Sequence, residues 1–321
     1  MGREKKDKKP SFYNDLKEFT KLRLATLVVF SASITYITAF KYYQSKTLLH
    51  KTETDFDYEF NWFSLIWLCL GGMLVTISSN GFNQILERDL DKKMDRTKNR
   101  PLPTGRLSLK TAWILTLING VAGTLILWFK LNPLTGFLGL ASLISYSFIY
   151  TPMKQKSSWA VFIGAFPGAA PPLIGWAAFE ATYISLPEET IISPAALLLF
   201  FLQFMWQFPH FWAIAWRCHE DYKKAGFHLL PSKEGKDFRS AFQILLYTLF
   251  MIPIAMLPCF PESGIAGFTT SLIVLALGII MLYPAIMLLK TLEDKWATKL
   301  MFASFIYLPL VLLSFLAHQY Y

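Results

Sequence analysis

Nine apolar segments of membrane-spanning length constrain this chain more than any other feature of its sequence. Each is long enough to cross a hydrocarbon core of about 30 Å as a helix, the one open structure that pairs its own backbone groups in lipid. Of its 321 residues, 54% are apolar and only 17% charged, which is typical of polytopic membrane proteins. The segments are 24–43, 62–86, 109–129, 133–150, 159–179, 193–217, 240–260, 264–289 and 296–317. The sequence therefore predicts an all-α membrane protein of about nine transmembrane helices.

Prolines predict the irregular helices. Pro133 opens the short fourth segment, and prolines interrupt the fifth and sixth segments, where we expect kinked or tightly packed helices. The interrupting prolines are Pro167, Pro171, Pro172 and Pro209. The domain boundaries predicted are a basic tail over 1–23 and one transmembrane domain over 24–321.

The distribution of Lys and Arg predicts the orientation. With nine spans, 27 of the 31 Lys and Arg residues fall on one side, and only Lys41, Lys46, Lys51 and Lys130 fall on the other. By the positive-inside rule the N-terminus is cytoplasmic and the C-terminus outside. The net charge of +9 is explained by this topology and by attraction to anionic lipid, so no nucleic-acid partner is needed. The three cysteines show neither a disulfide framework nor zinc-ligand spacing.

An acidic motif follows the second segment. On a helix that continued past Phe82 at about 100° per residue, Asn83, Glu87 and Asp91 would lie within an arc of roughly 80°. Oxygen ligands in that arrangement suit Mg²⁺, which is usually held by one or two carboxylates together with substrate phosphates. Carboxylates near hydrocarbon are costly, so their position favours function over the alternative of a solvated, charge-laced helix end.

Basic side chains around this motif are candidates for binding phosphates. They are Arg88, Arg96, Lys98 and Arg100, together with Lys92. Asp89 points away from Glu87 on the same helix, and Asp95 belongs to the following loop, so neither joins the predicted ligands.

A second polar site follows the sixth segment. His210, Arg217 and Asp221 are spaced i, i+7 and i+11, which would align them on one stripe of a regular helix. Taken singly, His210 could be a packed histidine bonded to a neighbouring helix, Arg217 a topology anchor and Trp212 part of an aromatic belt. Their alignment with a second acidic end favours a functional site.

These motifs resemble those of the UbiA-type intramembrane prenyltransferases over nearly the whole chain. The acidic motif Asn83, Glu87 and Asp91 and the following Arg96-Thr97-Lys98-Asn99-Arg100-Pro101-Leu102 match the first motif of that family. Further blocks resemble its haem-modifying members. They are Tyr150-Thr151-Pro152-Met153-Lys154, Gly164 through Pro171-Pro172-Leu173-Ile174-Gly175-Trp176, Pro209-His210-Phe211-Trp212, and Asp221-Tyr222-Lys223-Lys224-Ala225-Gly226 with Leu229-Leu230-Pro231.

The resemblance implies a helical bundle with a central intramembrane cavity open to the cytoplasmic side. It also implies farnesyl transfer from farnesyl diphosphate to the 2-vinyl group of haem B, with water added. Mg²⁺ is the implied cofactor, with haem B a substrate, and a bacterial inner membrane the implied location. Haem A synthase or a terminal oxidase in assembly would then receive the product.

The resemblance also implies roles for individual residues. Asn83, Glu87, Asp91 and Asp221 would hold Mg²⁺, and these four with Arg217 would form the catalytic set. The substrate-binding set would be Arg88, Arg96, Lys98, Arg100, Tyr150, Lys154, His210, Trp212, Tyr222 and Lys224.

Two departures from the family pattern stand out, and other functions stay open. Glu87 replaces the usual Asp, and Arg217 replaces one acid of the second motif. The alternatives are a UbiA-type enzyme that prenylates an aromatic quinone precursor, a membrane transporter, and a non-catalytic haem-binding protein. Acids clustered at one face favour a one-sided substrate site over an ion path through the membrane.

Overall fold

The computed structural model of the chain describes residues 11–49, 59–183 and 192–317. Nine helices in these ranges are long and apolar enough to span a membrane, and no strand occurs there, as predicted. In chain order the helices are α1 Phe12–Thr20, α2 Leu22–Leu49, α3 Trp62–Leu86, α4 Arg88–Asp91, α5 Leu109–Ile126, α6 Pro133–Ile144, α7 Thr151–Met153, α8 Ala160–Tyr183, α9 Pro194–Arg217, α10 His219–Lys224, α11 Phe238–Met256, α12 Phe268–Thr291 and α13 Asp294–Leu316. The π-helical stretches Leu127–Leu131 and Ser145–Tyr150 extend α5 and join α6 to α7.

Helix α8 lies deep in the bundle because small residues let its neighbours approach. A Cβ at Gly175 would fall 2.0 Å from the Ala32 carbonyl oxygen of α2, and one at Gly168 would fall 2.7 Å from Gln207 Oε1 of α9. Close backbone approach of this kind is how small residues pack membrane helices. Gln203 of α9 donates to the Gly168 carbonyl at 2.7 Å, which adds a polar contact inside the bundle.

The predicted proline effects are confirmed at the start of the fourth span. Pro133 occupies the first turn of α6, and the side chain of the N-cap residue Asn132 accepts the Thr135 N–H at 2.8 Å. In α8 and α9 the helix continues past each internal proline.

Part of the predicted tail is a helix that packs on the bundle. α1 starts at Ser11, whose side chain caps it, and its residue Phe19 is only 1% exposed. Gln84 near the end of α3 donates to the Phe19 carbonyl at 2.7 Å. Residues 1–10 lie outside the described ranges. The predicted boundary after residue 23 stays a prediction, as does the central cavity.

Candidate functional site

The first acidic motif begins at the end of α3, and the helix does not continue through it as predicted. Glu87 has φ −94° and ψ 7°, which ends α3 at Leu86 and starts the short helix α4. The i, i+4 spacing survives because the Glu87 N–H donates to the Asn83 carbonyl at 3.0 Å and the Asp91 N–H donates to the Glu87 carbonyl at 2.7 Å. The side chains of Asn83, Glu87 and Asp91 are therefore all buried despite the break.

Glu87 is paired with Lys154 from the loop after α7. Lys154 Nζ donates to Glu87 Oε1 at 2.8 Å, and the side chains are 10% and 7% exposed. Burial alone would lower the pKa of Lys154, but the Glu87 carboxylate and nearby tyrosines outweigh it and keep that pKa above 10.5. The ammonium also lies 4.5 Å from the centre of the Tyr150 ring. The structure thus brings together three residues that are far apart in the sequence.

Asp91 carries the most informative atom of the site. Its Oδ2 accepts a hydrogen bond from Arg100 at 2.8 Å, while its Oδ1 is fully buried and has no hydrogen-bond partner. A buried carboxylate oxygen left unpaired is costly, and a metal ion is one group that would satisfy it. The amide oxygen of Asn83 is a further hard ligand, since its Nδ2 is used in donating to Thr151 Oγ1 at 3.3 Å. This donor set fits Mg²⁺ held together with substrate phosphates.

Lys21 is a site residue that the sequence reasoning missed. It lies between α1 and α2 in the left-handed region, with φ 48°, where a non-glycine residue is uncommon. Its ammonium lies within the electrostatic field of Glu87, Asp91, Arg100 and Lys154. Assigning it to the tail concealed this role, because the motif is about sixty residues away in the sequence. The basic residue at the start of the first span was the available signal.

Asp221 fastens the second polar site to the loop after the first motif. Its carboxylate accepts the backbone N–H groups of Asp95 and Arg96, both at 3.1 Å. Lys224 pairs with both Asp221 and Asp95. Burial opposes the charged carboxylate, but the backbone N–H groups and Lys224 outweigh it and bring the pKa of Asp221 below its usual value. We refer to this contact as the loop clasp, formed by Asp95, Arg96, Asp221 and Lys224.

The loop clasp separates Asp221 from the other predicted metal ligands. No three His, Cys, Asp or Glu side chains within 11–49, 59–183 and 192–317 are grouped closely enough to hold a metal ion. Asp221 is thus not gathered with Glu87 and Asp91 in this structure. Its predicted metal role stays a prediction.

The predicted stripe on the sixth span divides at Cys218, which ends α9. His210 and Arg217 both contact α13: His210 Nδ1 lies 2.7 Å from Ser304 Oγ, and Arg217 donates to Met301 Sδ at 3.7 Å. The His210 ring also stacks on Trp206, with ring centres 4.4 Å apart. Asp221 lies beyond the break and faces the loop clasp. His210 therefore has the contacts of the packed histidine that was one reading of the sequence.

The remaining predicted substrate residues lie around this region with ordinary contacts. Arg88 pairs with Asp89 at 3.3 Å and Lys98 with Asp95 at 2.6 Å, both among exposed groups. The Arg96 guanidinium lies 5.7 Å from the Tyr222 ring centre. Trp212 is buried between other aromatic rings, and its indole N–H has no partner among the described residues.

A surface depression occurs away from this site, on one face of α11. It is lined by Phe238, Arg239, Phe242, Gln243, Leu246 and Tyr247. None of these is a predicted site residue, and the converging carboxylates and cations identify the candidate site more directly than concavity does.

Comparison with known proteins agrees with this arrangement. Residues 56–306 match the UbiA prenyltransferase family, a range that covers both acidic ends and the loops between them. The chain belongs to this family. The UbiA family assignment accounts for the multi-pass helical bundle and makes the chain a prenyltransferase homologue, as the sequence predicted.

Bacterial relatives and solved structures refine the comparison. The chain is 43% identical over 306 residues to the protoheme IX farnesyltransferase of Cytophaga hutchinsonii, covering 95% of this chain and 97% of the relative. It is 39% identical to the enzyme of the same name from Flavobacterium psychrophilum, covering 97% and 96%.

Two solved UbiA-type structures share the fold at low sequence identity. A digeranylgeranylglyceryl phosphate synthase superposes with a TM-score of 0.72 at 17% identity, covering 95% of this chain and 98% of that one. A UbiA homologue from Archaeoglobus fulgidus bound to GPP and Mg²⁺ superposes with a TM-score of 0.58 at 15% identity, covering 94% and 98%.

Proposed function

We propose that this chain transfers a farnesyl group from farnesyl diphosphate to the 2-vinyl group of haem B, with addition of water, to give haem O and diphosphate. The observation that carries the proposal is the buried, unpartnered Oδ1 of Asp91 among three cations, in a chain whose relatives are named protoheme IX farnesyltransferases. The cations are Lys21, Arg100 and Lys154. The anionic leaving group would bind here.

The reaction balances without an oxidant or reductant. The allylic C–O bond of farnesyl diphosphate breaks, and its electron pair leaves with the diphosphate. The vinyl π electrons form the new C–C bond to the allylic carbon. Water then captures the cation at the porphyrin edge and loses a proton, which leaves a hydroxyl group. The protein's main task is to stabilise charge on the departing diphosphate.

Mg²⁺ would be held by Asn83, Glu87 and Asp91, and when bound it supplies Lewis-acid stabilisation of the leaving diphosphate. Lys154 and Arg100 occupy these carboxylates in the present structure, at 2.8 Å each. We infer that substrate binding exchanges these partners. The two cations turn from the carboxylates to the phosphate oxygens, and the charge of the site stays balanced throughout.

The loop clasp supports closure of the site over the diphosphate. Asp221 and Lys224 hold the backbone at Asp95 and Arg96, so the segment after α9 and the loop after α4 move together. Closure of this kind would exclude water from the allylic cation before the vinyl group reacts. Asp221 as a fourth metal ligand would require the clasp to open.

The acceptor side of the proposal rests on apolar and basic groups near the cytoplasmic ends of α9 and α10. Aromatic side chains such as Trp212 and Tyr222 suit a porphyrin face, while Arg217 suits a propionate. We propose the bacterial inner membrane as the location, with a cytoplasmic N-terminus and an outer C-terminus. Haem A synthase or an assembling terminal oxidase would receive the haem O.

The deciding experiment supplies farnesyl diphosphate and haem B to membranes carrying the protein, with Mg²⁺ or with a chelator, and detects haem O by mass spectrometry. We expect haem O only with Mg²⁺, and a loss of about a hundredfold or more in Asp91→Asn. Lys110→Gln, an exposed change on α5, is the matched control. A folded wild-type protein that makes no haem O would refute the proposal.

The same assay tests the other functions. Replacing haem B by an aromatic quinone precursor identifies an enzyme of that acceptor class, if a prenylated acid forms instead of haem O. Haem B binding without any product would indicate a non-catalytic haem-binding protein. Ion or solute flux in vesicles without product would indicate a transporter.

A further inference from the structure

Arg106 forms a polar junction outside the residues assigned above. Its Nε donates to Asp15 Oδ1 at 2.8 Å, its NH2 to the Asn99 carbonyl at 2.9 Å, and its NH1 to Thr104 Oγ1 at 3.0 Å. A weaker contact of 3.5 Å reaches Glu18. All three guanidinium nitrogens are therefore engaged, and they join α1 to the loop between α4 and α5.

The partner on α1 depends on this junction. Asp15 is only 4% exposed, and Arg106 is its one ion-pair partner among the described residues. A buried carboxylate that loses its cation is strongly destabilised, so the helix would have to move to hydrate it. Arg106 thereby fixes the position of α1.

The partner in the loop lies next to the site. The Asn99 carbonyl held by Arg106 directly precedes Arg100, which donates to Asp91. Thr104 closes the same segment, because its hydroxyl donates to the Arg100 carbonyl at 2.8 Å. One face of this compact turn thus points a cation at the acidic motif, and the other is fastened to α1.

Fixing α1 also positions Lys21. Phe19 packs against Leu102 and Leu107 of the loop and accepts a hydrogen bond from Gln84, one residue before Asn83. Lys21 follows Phe19 by two residues and lies within the field of the acidic motif. Arg106 is therefore connected to two of the three cations of the site.

We propose that Arg106 is a positioning residue that sets Arg100 and Lys21 for the diphosphate, acting through Asp15 and the Asn99 carbonyl. This rests on the proposed function of the site as a binder of Mg²⁺ and prenyl diphosphate. It assigns to α1 the role of a fixed strut of the site.

The test measures binding of inorganic diphosphate with Mg²⁺ to the purified full chain by calorimetry. We expect Arg106→Gln and Asp15→Asn each to weaken binding about tenfold, and the double variant to be no weaker than either, because both remove one contact. The KM for farnesyl diphosphate should rise similarly while the KM for haem B stays constant. Arg106→Lys, which keeps one bond to Asp15, should recover part of the loss.

Matched controls separate positioning from folding. Glu18→Gln on α1 and Lys110→Gln on α5 should bind diphosphate within about twofold of wild type, because neither residue has a close partner in this junction. Diphosphate affinity is measured on the monodisperse fraction, so a merely structural role would lower yield or Tm and leave that affinity unchanged. If Arg106→Gln does not fold, Asp15→Asn decides.

Three results would overturn the inference. Unchanged affinity in the folded variants would refute it while leaving the proposed function intact. Additive losses in the double variant would show that the two residues do not act through one contact. A wild-type chain that fails to bind Mg²⁺ and diphosphate would refute both the inference and the metal site.

Discussion

Lys154 Nζ lies 2.8 Å from Glu87 Oε1, so the cation that neutralises the first acidic motif comes from a loop that follows two further spans. Arg100 neutralises Asp91 in the same way, from nine residues along the chain. The carboxylates are paired before any substrate binds. Metal binding and diphosphate binding should therefore be coupled, because each partner released by one ligand is taken up by the other.

The Lys154→Met variant tests this exchange. Removing the ammonium frees Glu87, so we expect Mn²⁺ alone, as a probe for Mg²⁺, to bind several-fold tighter and inorganic diphosphate to bind about tenfold weaker. Equilibrium binding of each ligand separately provides the measurement. Lys156→Met, an exposed change in the same loop, should alter neither. If both affinities fall together, Lys154 supports the fold and the exchange is wrong.

The Glu87→Gln and Asp91→Asn variants should nearly abolish haem O formation in protein that still folds. Each leaves a partly buried cation unpaired, and removing one partner of a buried pair costs about 3 to 5 kcal/mol, less where some solvent reaches it. We therefore expect a lowered Tm in both, more for Asp91 because its side chain is 1% exposed. Turnover at the wild-type rate in either variant would refute the metal assignment.

The loop clasp predicts different outcomes for two changes at Asp221. An asparagine oxygen still accepts the N–H groups of Asp95 and Arg96, whereas alanine accepts neither. Asp221→Ala should therefore increase tryptic cleavage at Lys93 and Lys98 by several-fold, and Asp221→Asn should stay near wild type. Haem O formation measured on both variants then separates the clasp from metal binding. Equal cleavage in the two would show that the clasp does not restrain the loop.

The clasp also has a predicted pH range. Hydrogen bonds from Lys224 and Lys98 lower the pKa of Asp95 from 3.8 to about 2. A carboxyl group with a lowered folded-state pKa stabilises the structure above its unfolded pKa and loses that contribution as the pH falls toward its folded pKa. Loop protection should thus be constant from neutral pH down to about pH 4 and decline below it. Hydrogen exchange of the loop would measure this, and loss already near pH 6 would contradict it.

The sequence specified the spans and both polar ends because their signals are local. Segment length and loop charge depend on neighbouring residues, so the nine helices and the Asn83, Glu87 and Asp91 spacing could be predicted. The pairing of Glu87 with Lys154 depends on how α3 and α7 pack, which periodicity does not encode. The same is true of Lys21, which joins the site only because α1 folds back onto α3. Asp221 was assigned from its spacing, but spacing does not show that backbone N–H groups occupy its carboxylate.

His210 provides the last prediction, since its contacts favour packing while the family motif favours haem. Ser304 Oγ lies 2.7 Å from both His210 Nδ1 and the Met301 carbonyl. The hydroxyl has one proton, and donating it to Met301 makes Nδ1 of His210 the donor and leaves Nε2 with a lone pair. Such an Nε2 can accept a hydrogen bond or bind iron.

The experiment pairs His210→Ala with Ser304→Ala and measures haem B and farnesyl diphosphate binding on each folded variant. If Nε2 faces haem, His210→Ala should weaken haem B binding about tenfold or more, shift the Soret band and leave farnesyl diphosphate affinity unchanged. Ser304→Ala should show a smaller loss of the same kind. A packed histidine would instead lower the Tm, by about 1 to 3 kcal/mol of lost hydrogen bond, and weaken both ligands together. That second outcome would remove His210 from the acceptor site without affecting Asn83, Glu87 and Asp91, whose assignment rests on separate contacts.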